Sequence, residues 1–251
     1  MPDCKLMAHW VAGYPNREDS LASARALAQG GADYLEIQFP FSDPSADGPL
    51  IENAGRDALE SGFRVSDGFA MVRELSQLGV PVFIMTYGSL VVAPGTAVFV
   101  AEAAKAGARG LVVPDLPPDH DEGLFLAGKK AGLAIVPVVA PEISEERLEI
   151  YRRLEPEWVY AALRLGITGS RTVLDQATLG YLERLGKLGG KLIAGFGVRQ
   201  REQIDALSGQ VHAVAVGSHF LECFQQKGGG DNLRQAAANL RVKGEKPGLS
   251  H

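Results

Sequence analysis

Short apolar stretches rich in β-branched and aromatic residues recur along the chain: LMAHWVAG (6–13), YLEIQF (34–39), VPVFIMTYG (80–88), GLVVPDL (110–116), LAIVPVV (133–139), WVYAAL (158–163), KLIAGFGV (191–198) and AVAVGSHF (213–220). Each has the length and residue types of a β-strand. Between them apolar residues return every three or four positions, as in REDSLASARALAQGG, SDGFAMVRELSQLG, TAVFVAEAAKAGA and SEERLEIYRRLE. That period marks helices with one buried face. Strand and helix alternate from one end of the chain to the other.

Strands that are apolar along most of their length are buried on both faces, as parallel strands covered by helices must be. A hairpin sheet does not fit. Eight strand–helix units in 251 residues, close to the ~250 typical of the fold, predict an α/β protein with a closed (β/α)8 TIM barrel rather than an open doubly wound sheet. No linker or low-complexity stretch divides the chain, so residues 1–251 are expected to form one barrel domain. The segment QKGGGDN (226–232) reads as a loop before a last helix, LRQAAANLRV.

Charge narrows the partners. The chain has 25 basic and 30 acidic residues, a formal net charge of −5 and no polybasic run, which argues against nucleic acid or anionic membrane. Cys4 and Cys223 lie far apart without CxxC or zinc-type His spacing, so neither a disulfide framework nor a metal site is expected. The first residues lack a basic leader region, and nowhere do eighteen apolar residues run together. A cytoplasmic protein is expected.

In a barrel of this kind chemistry sits where strands end and the following loops begin. Glu36 lies in the second apolar run, and the period of two puts it on the same face as Tyr34 and Gln38. On an inward face its carboxyl is poorly hydrated, the setting in which a carboxyl serves as general acid or base. A lone Glu there is more often a buried group satisfied by backbone donors or a basic partner. Asp47 changes the weighing, because its loop, stiffened by Pro40, Pro44 and Pro49, can return over the strand end and face Glu36 across a ligand. Asp43, in FSDP, suits a turn or cap. A second constellation is glycine-rich: GITGSR (166–171), GFGV (195–198) and VGSHF (216–220) follow the sixth, seventh and eighth strands. Glycines let backbone N–H groups approach a phosphate, and Gly217 and Ser218 can open a short helix whose dipole favours an anion. GLFLAGKK (123–130) imitates a P-loop but ends in Lys130 and has no strand leading into it, so it reads as a surface helix. The five histidines form no ligand or nucleophile spacing; His9 alone falls near the mouth, where a packed or solvated ring is the expectation.

The run LEIQFPFSDPSADGP (35–49) closely resembles the signature of the tryptophan synthase alpha chain, L-E-L-G-[IV]-P-F-S-D-P-x-A-D-G-P. AGYP, MTYGSLV, VPDLP, GITG, GFGV and VGS continue the resemblance in order over nearly the whole chain. It implies retro-aldol cleavage of indole-3-glycerol phosphate, with Glu36 as catalytic glutamate, Asp47 holding the indole N–H and Tyr160 beside the glutamate. Gly169, Gly197, Gly217 and Ser218 match its phosphate site, and Thr168 and Arg164 its mobile loop after the sixth strand. No cofactor is implied in this chain. Pyridoxal phosphate is expected only in a beta chain, the implied partner in an alpha2-beta2 hetero-tetramer. Leu111 and Ile135 fit either an indole pocket or ordinary core. Four positions depart from the pattern: Gln38 stands where Gly is usual, Ser89 for an asparagine, Leu163 for a serine, and His9 where an apolar or aromatic residue is usual. Gln38 has an amide that can bond the glutamate or fill substrate volume. The chain is also expected to lack the N-terminal helix that closes the barrel floor in the family. Two alternatives stay open: a catalytically weakened, ligand-binding regulatory subunit of the beta chain and, more distantly, a phosphate-binding barrel isomerase.

Overall fold

The computed structural model describes residues 4–163, 175–195, 197–226 and 229–241. Its strands are β1 (Lys5–Val11), β2 (Tyr34–Gln38), β3 (Val82–Met85), β4 (Gly110–Val112), β5 (Ala134–Val136), β6 (Val138–Val139), β7 (Trp158–Ala162), β8 (Lys191–Gly195) and β9 (Ala213–Val216). All pair in parallel, in the order β5-β4-β3-β2-β1-β9-β8-β7-β6. The halves β5 and β6 flank Pro137, which has no N–H to give a ladder. The first half pairs with β4 and the second with β7; the Pro137 carbonyl accepts from the Tyr160 N–H at 2.9 Å. Counting the split strand once gives eight. The sheet returns on itself as a nearly closed (β/α)8 barrel, as the alternation predicts.

Period-two alternation sorts the strand side chains. In β2, Leu35 and Ile37 point outward into the apolar layer shared with the helices, while Tyr34, Glu36 and Gln38 point in. The interior is filled by Met7, Phe83, Met85, Val112, Val136, Trp158, Tyr160, Ile193, Ala213 and Ala215. Leu111 and Ile135 belong to the outer layer, Ile135 packing on Gly128 of the helix Leu124–Ala131, so the indole-pocket reading of these two does not hold. Their inward neighbours are Val112 and Val136. In strands of three apolar residues, hydrophobicity alone does not fix which face is which.

The helices start where the sequence provides caps. Asn16 accepts from the Asp19 N–H before Arg17–Gln29, and Ser144 accepts from the Arg147 N–H before Glu145–Arg153. The P-loop imitation is the helix Leu124–Ala131, bounded by left-handed Gly123 and Gly132. One boundary differs from expectation: the last helix is Gly229–Leu240, so residues 229–232, taken for loop from their glycines, form its first turn.

Among the described residues no helix precedes β1. The N-terminal end of the barrel is closed from within by aromatic rings. Trp158 makes edge contacts with Tyr34, Phe83 and His212, at centroid distances of 5.4, 5.1 and 5.3 Å. The Tyr34 hydroxyl hydrogen-bonds His212 Nε2 at 2.9 Å. Lys191 Nζ lies 4.8 Å from the Trp158 ring centre, a cation–π contact that keeps the charge at the solvent edge.

Candidate active site

A cavity of about 580 Å³ opens at the C-terminal ends of the strands, the size of a small-ligand site. Glu36, Asp47, Tyr160, Gly197, Gly217 and Ser218 all line it, so the structure brings the two carboxyls, the tyrosine and the cradle residues to one cavity. Arg164, Thr168 and Gly169 lie outside the described residues. His9, Met85, Leu50, Ile51, Arg199 and His219 complete much of the wall.

Glu36 is carried inward by the middle of β2 and is 1% exposed. The β1–β2 register sets His9 directly beside it, and His9 Nδ1 lies 2.8 Å from Glu36 Oε2. This partner is absent from the sequence reading, because the pairing depends on strand register and not on spacing along the chain. Gln38, one alternation nearer the mouth, does not bond the glutamate. Its Nε2 donates to Asp47 Oδ2 at 2.6 Å.

Asp47 is held over the strand ends by its loop. Pro49 occupies the first turn of the helix Pro49–Glu60, where a missing N–H costs nothing. Phe41 stacks on Tyr87 with centroids 5.4 Å apart, and the Ala46 N–H donates to the Tyr87 hydroxyl at 3.2 Å. Burial raises the Asp47 carboxyl from its ordinary value, and the nearby Glu36 adds to this, while the hydrogen bond from Gln38, the neighbouring His9 and the Tyr87 hydroxyl act against it. The Tyr160 hydroxyl reaches across to Gly195, where an added Cβ would lie 2.1 Å from it; only glycine leaves it room. Burial, and then the nearby charges of Glu36 and Asp47, raise the Tyr160 phenol well above its ordinary range. It therefore keeps its proton and can act only as a hydrogen-bond donor or acceptor, not as an acid.

On the far wall Gly197 has φ +98°, a backbone conformation open to glycine, and Gly217 and Ser218 start the helix Ser218–Gln225. Arg199 stands at the same rim and pairs with Glu222. Among the described residues no cluster of three His, Cys, Asp or Glu could hold a metal ion, and no helix is long and apolar enough to cross a membrane.

Two carboxyl groups at the mouth of a parallel barrel, opposite glycine turns at a helix N-terminus, are an arrangement suited to a barrel enzyme acting on a small anionic ligand. The chain belongs to the tryptophan synthase alpha chain family, whose sequence profile matches residues 3–247. It is 40% identical over 228 residues to the tryptophan synthase alpha chain of Helicobacter hepaticus, covering 88% of this chain and 85% of that one. A tryptophan synthase structure from Mycobacterium tuberculosis superposes with a TM-score of 0.88 at 33% identity, covering 95% of this chain and 91% of that one. A chain of the tryptophan synthase α2β2 complex of Pyrococcus furiosus gives 0.86 at 30% identity, covering 95% and 98%. The family reaction is lyase cleavage of indole-3-glycerol phosphate to indole and glyceraldehyde 3-phosphate, a step of tryptophan biosynthesis.

Proposed function

We propose that Glu36, Asp47 and Tyr160 carry this cleavage. The observation behind the reading is that Glu36 and Asp47, on separate elements, face one cavity whose opposite wall is the glycine cradle. Glu36 gives its carboxyl proton to C3 of the indole ring. Positive charge then develops at the ring nitrogen, where the Asp47 carboxylate holds the N–H. The glycerol hydroxyl loses its proton to the Glu36 carboxylate, its oxygen closes to an aldehyde, and the electrons of the breaking carbon–carbon bond return to the ring. Glu36 ends as it began, and the sequence of steps balances on this chain's own groups. The Tyr160 hydroxyl, which keeps its proton, offers a hydrogen bond to the substrate beside the glutamate.

The substrate phosphate sits against Gly197, Gly217 and the Ser218 hydroxyl; Gly169, Thr168 and Arg164, which the resemblance assigns to the same task, lie outside the described residues. Arg199, at the same rim, gives this cradle a fixed positive charge once it exchanges Glu222 for phosphate. The chain works in the cytoplasm, a place suited to its two unpaired cysteines. It joins a beta chain in an alpha2-beta2 assembly, as the Pyrococcus relative does, and pyridoxal phosphate belongs to that partner.

The test is indole release from indole-3-glycerol phosphate by the purified chain, alone and with its beta chain. Turnover is expected, and Glu36→Gln should lower it by about 10²–10⁴-fold, the usual worth of a positioned acid or base. Glycerol 3-phosphate binding should be unchanged. A Glu36→Gln chain that turns over like the wild type ends this assignment.

A further inference from the structure

We propose that His9 is a positioning residue for the cleavage, setting which oxygen of Glu36 gives up its proton. The inference rests on the lyase reading of the site. It deepens that reading with a residue that the alpha-chain pattern does not supply, since the place usually holds an apolar or aromatic side chain.

His9 and Glu36 are register partners on neighbouring inward faces, 4% and 1% exposed, with Nδ1 and Oε2 2.8 Å apart. Two polar side chains this deep persist only as a pair. A carboxylate only accepts, so the ring proton is on Nδ1 whenever Glu36 is ionised. A carboxyl torsion has a broad, roughly two-fold preference and does not choose between its oxygens. The contact with His9 chooses for it: Oε2 is taken, and Oε1, which has no hydrogen-bond partner among the described residues, is the oxygen left for the substrate. The packing beside the ring supports the same reading. A Cβ at Gly217 would lie 2.9 Å from His9 Cδ2 and 3.3 Å from its Cβ, so the glycine of the phosphate cradle also makes the space in which the imidazole stands upright. Substrate phosphate seated on Gly217 thereby backs the ring that holds the acid.

The energetic consequence has a sign. While Glu36 is protonated, Nδ1–H donates to a neutral carbonyl oxygen. As the proton leaves Oε1 for the ring carbon, negative charge spreads to Oε2, and the same bond becomes charge-assisted and stronger. An interaction that strengthens on the way to the transition state raises kcat and leaves substrate binding alone.

The experiment uses the complex with the beta chain and compares wild type, His9→Leu and His9→Asn by steady-state indole release from indole-3-glycerol phosphate. Leu fills the site without a donor, and the Asn amide can stand where Nδ1–H stands. His9→Leu is expected to lose about tenfold to a hundredfold in kcat, the worth of one hydrogen bond to a charged group, with KM within about twofold. His9→Asn is expected to recover most of the loss. An unchanged kcat in His9→Leu, a loss expressed in KM, or equal losses in both variants overturns the proposal. Should His9→Leu fail to fold by circular dichroism, His9→Phe takes its place, a ring of similar shape with no donor. A wild-type complex without turnover refutes the lyase reading instead, which separates the two failures.

Discussion

Asp47, with the role proposed for it, would trade stability for chemistry. Its carboxyl titrates above the ordinary range because burial outweighs the donors around it. In the window between the unfolded and folded values the folded chain therefore holds more protons than the unfolded one, so this group's contribution to stability falls as pH rises through that window. At neutral pH the fold carries a partly desolvated charge. Asp47→Asn keeps an acceptor for the Gln38 amide and removes the charge. The variant should resist urea better than wild type at pH 7, and the difference should shrink as the pH approaches 4, which urea midpoints at several pH values will show. Its activity should drop by on the order of 10²–10³, the usual loss for one electrostatic stabiliser of the transition state. Gln38, whose amide meets Asp47 instead of Glu36, supports the loop acid, a pairing invisible while the loop's path was unknown.

At the level of elements, the sequence was informative wherever one strand or one loop decided the outcome. The inward placement of Glu36 follows from alternation in β2, and the return of Asp47 over the mouth follows from a proline-stiffened loop. Contacts between strands were not legible. His9 meets Glu36 because Met7 aligns with Tyr34 in the β1–β2 ladder, and a shift of one residue would turn the imidazole outward. For Leu111 and Ile135 the choice between pocket and core stayed open for the related reason that β4 and β5 are apolar on both faces. In β7 the same alternation that sends Tyr160 to the mouth sends Trp158 to the floor, two residues earlier. Trp158 is 2% exposed and touches three other rings there. Trp158→Ala should cost about 3–5 kcal/mol, the range for emptying a buried aromatic site, measured by chemical unfolding. Indole release under conditions where the variant remains folded should change far less, since the ring lies at the far end of the barrel from the cavity.

Across the whole molecule the ladder is uneven. β1 is paired on both sides, over five positions with β2 and four with β9, whereas the fifth barrel strand is paired on one side before Pro137 and on the other side after it. Native-state hydrogen exchange should follow this difference: amides of β1 should exchange only through global unfolding, and those at 134–139 through smaller, faster openings. Equal protection in the two segments would contradict it. The ring of strands thus has a clasp, and the clasp touches the chemistry. Val138 is the register partner of Tyr160, while Glu36 stands between two fully paired neighbours. When the barrel breathes, the Tyr160 wall of the cavity should therefore give before the Glu36 wall does.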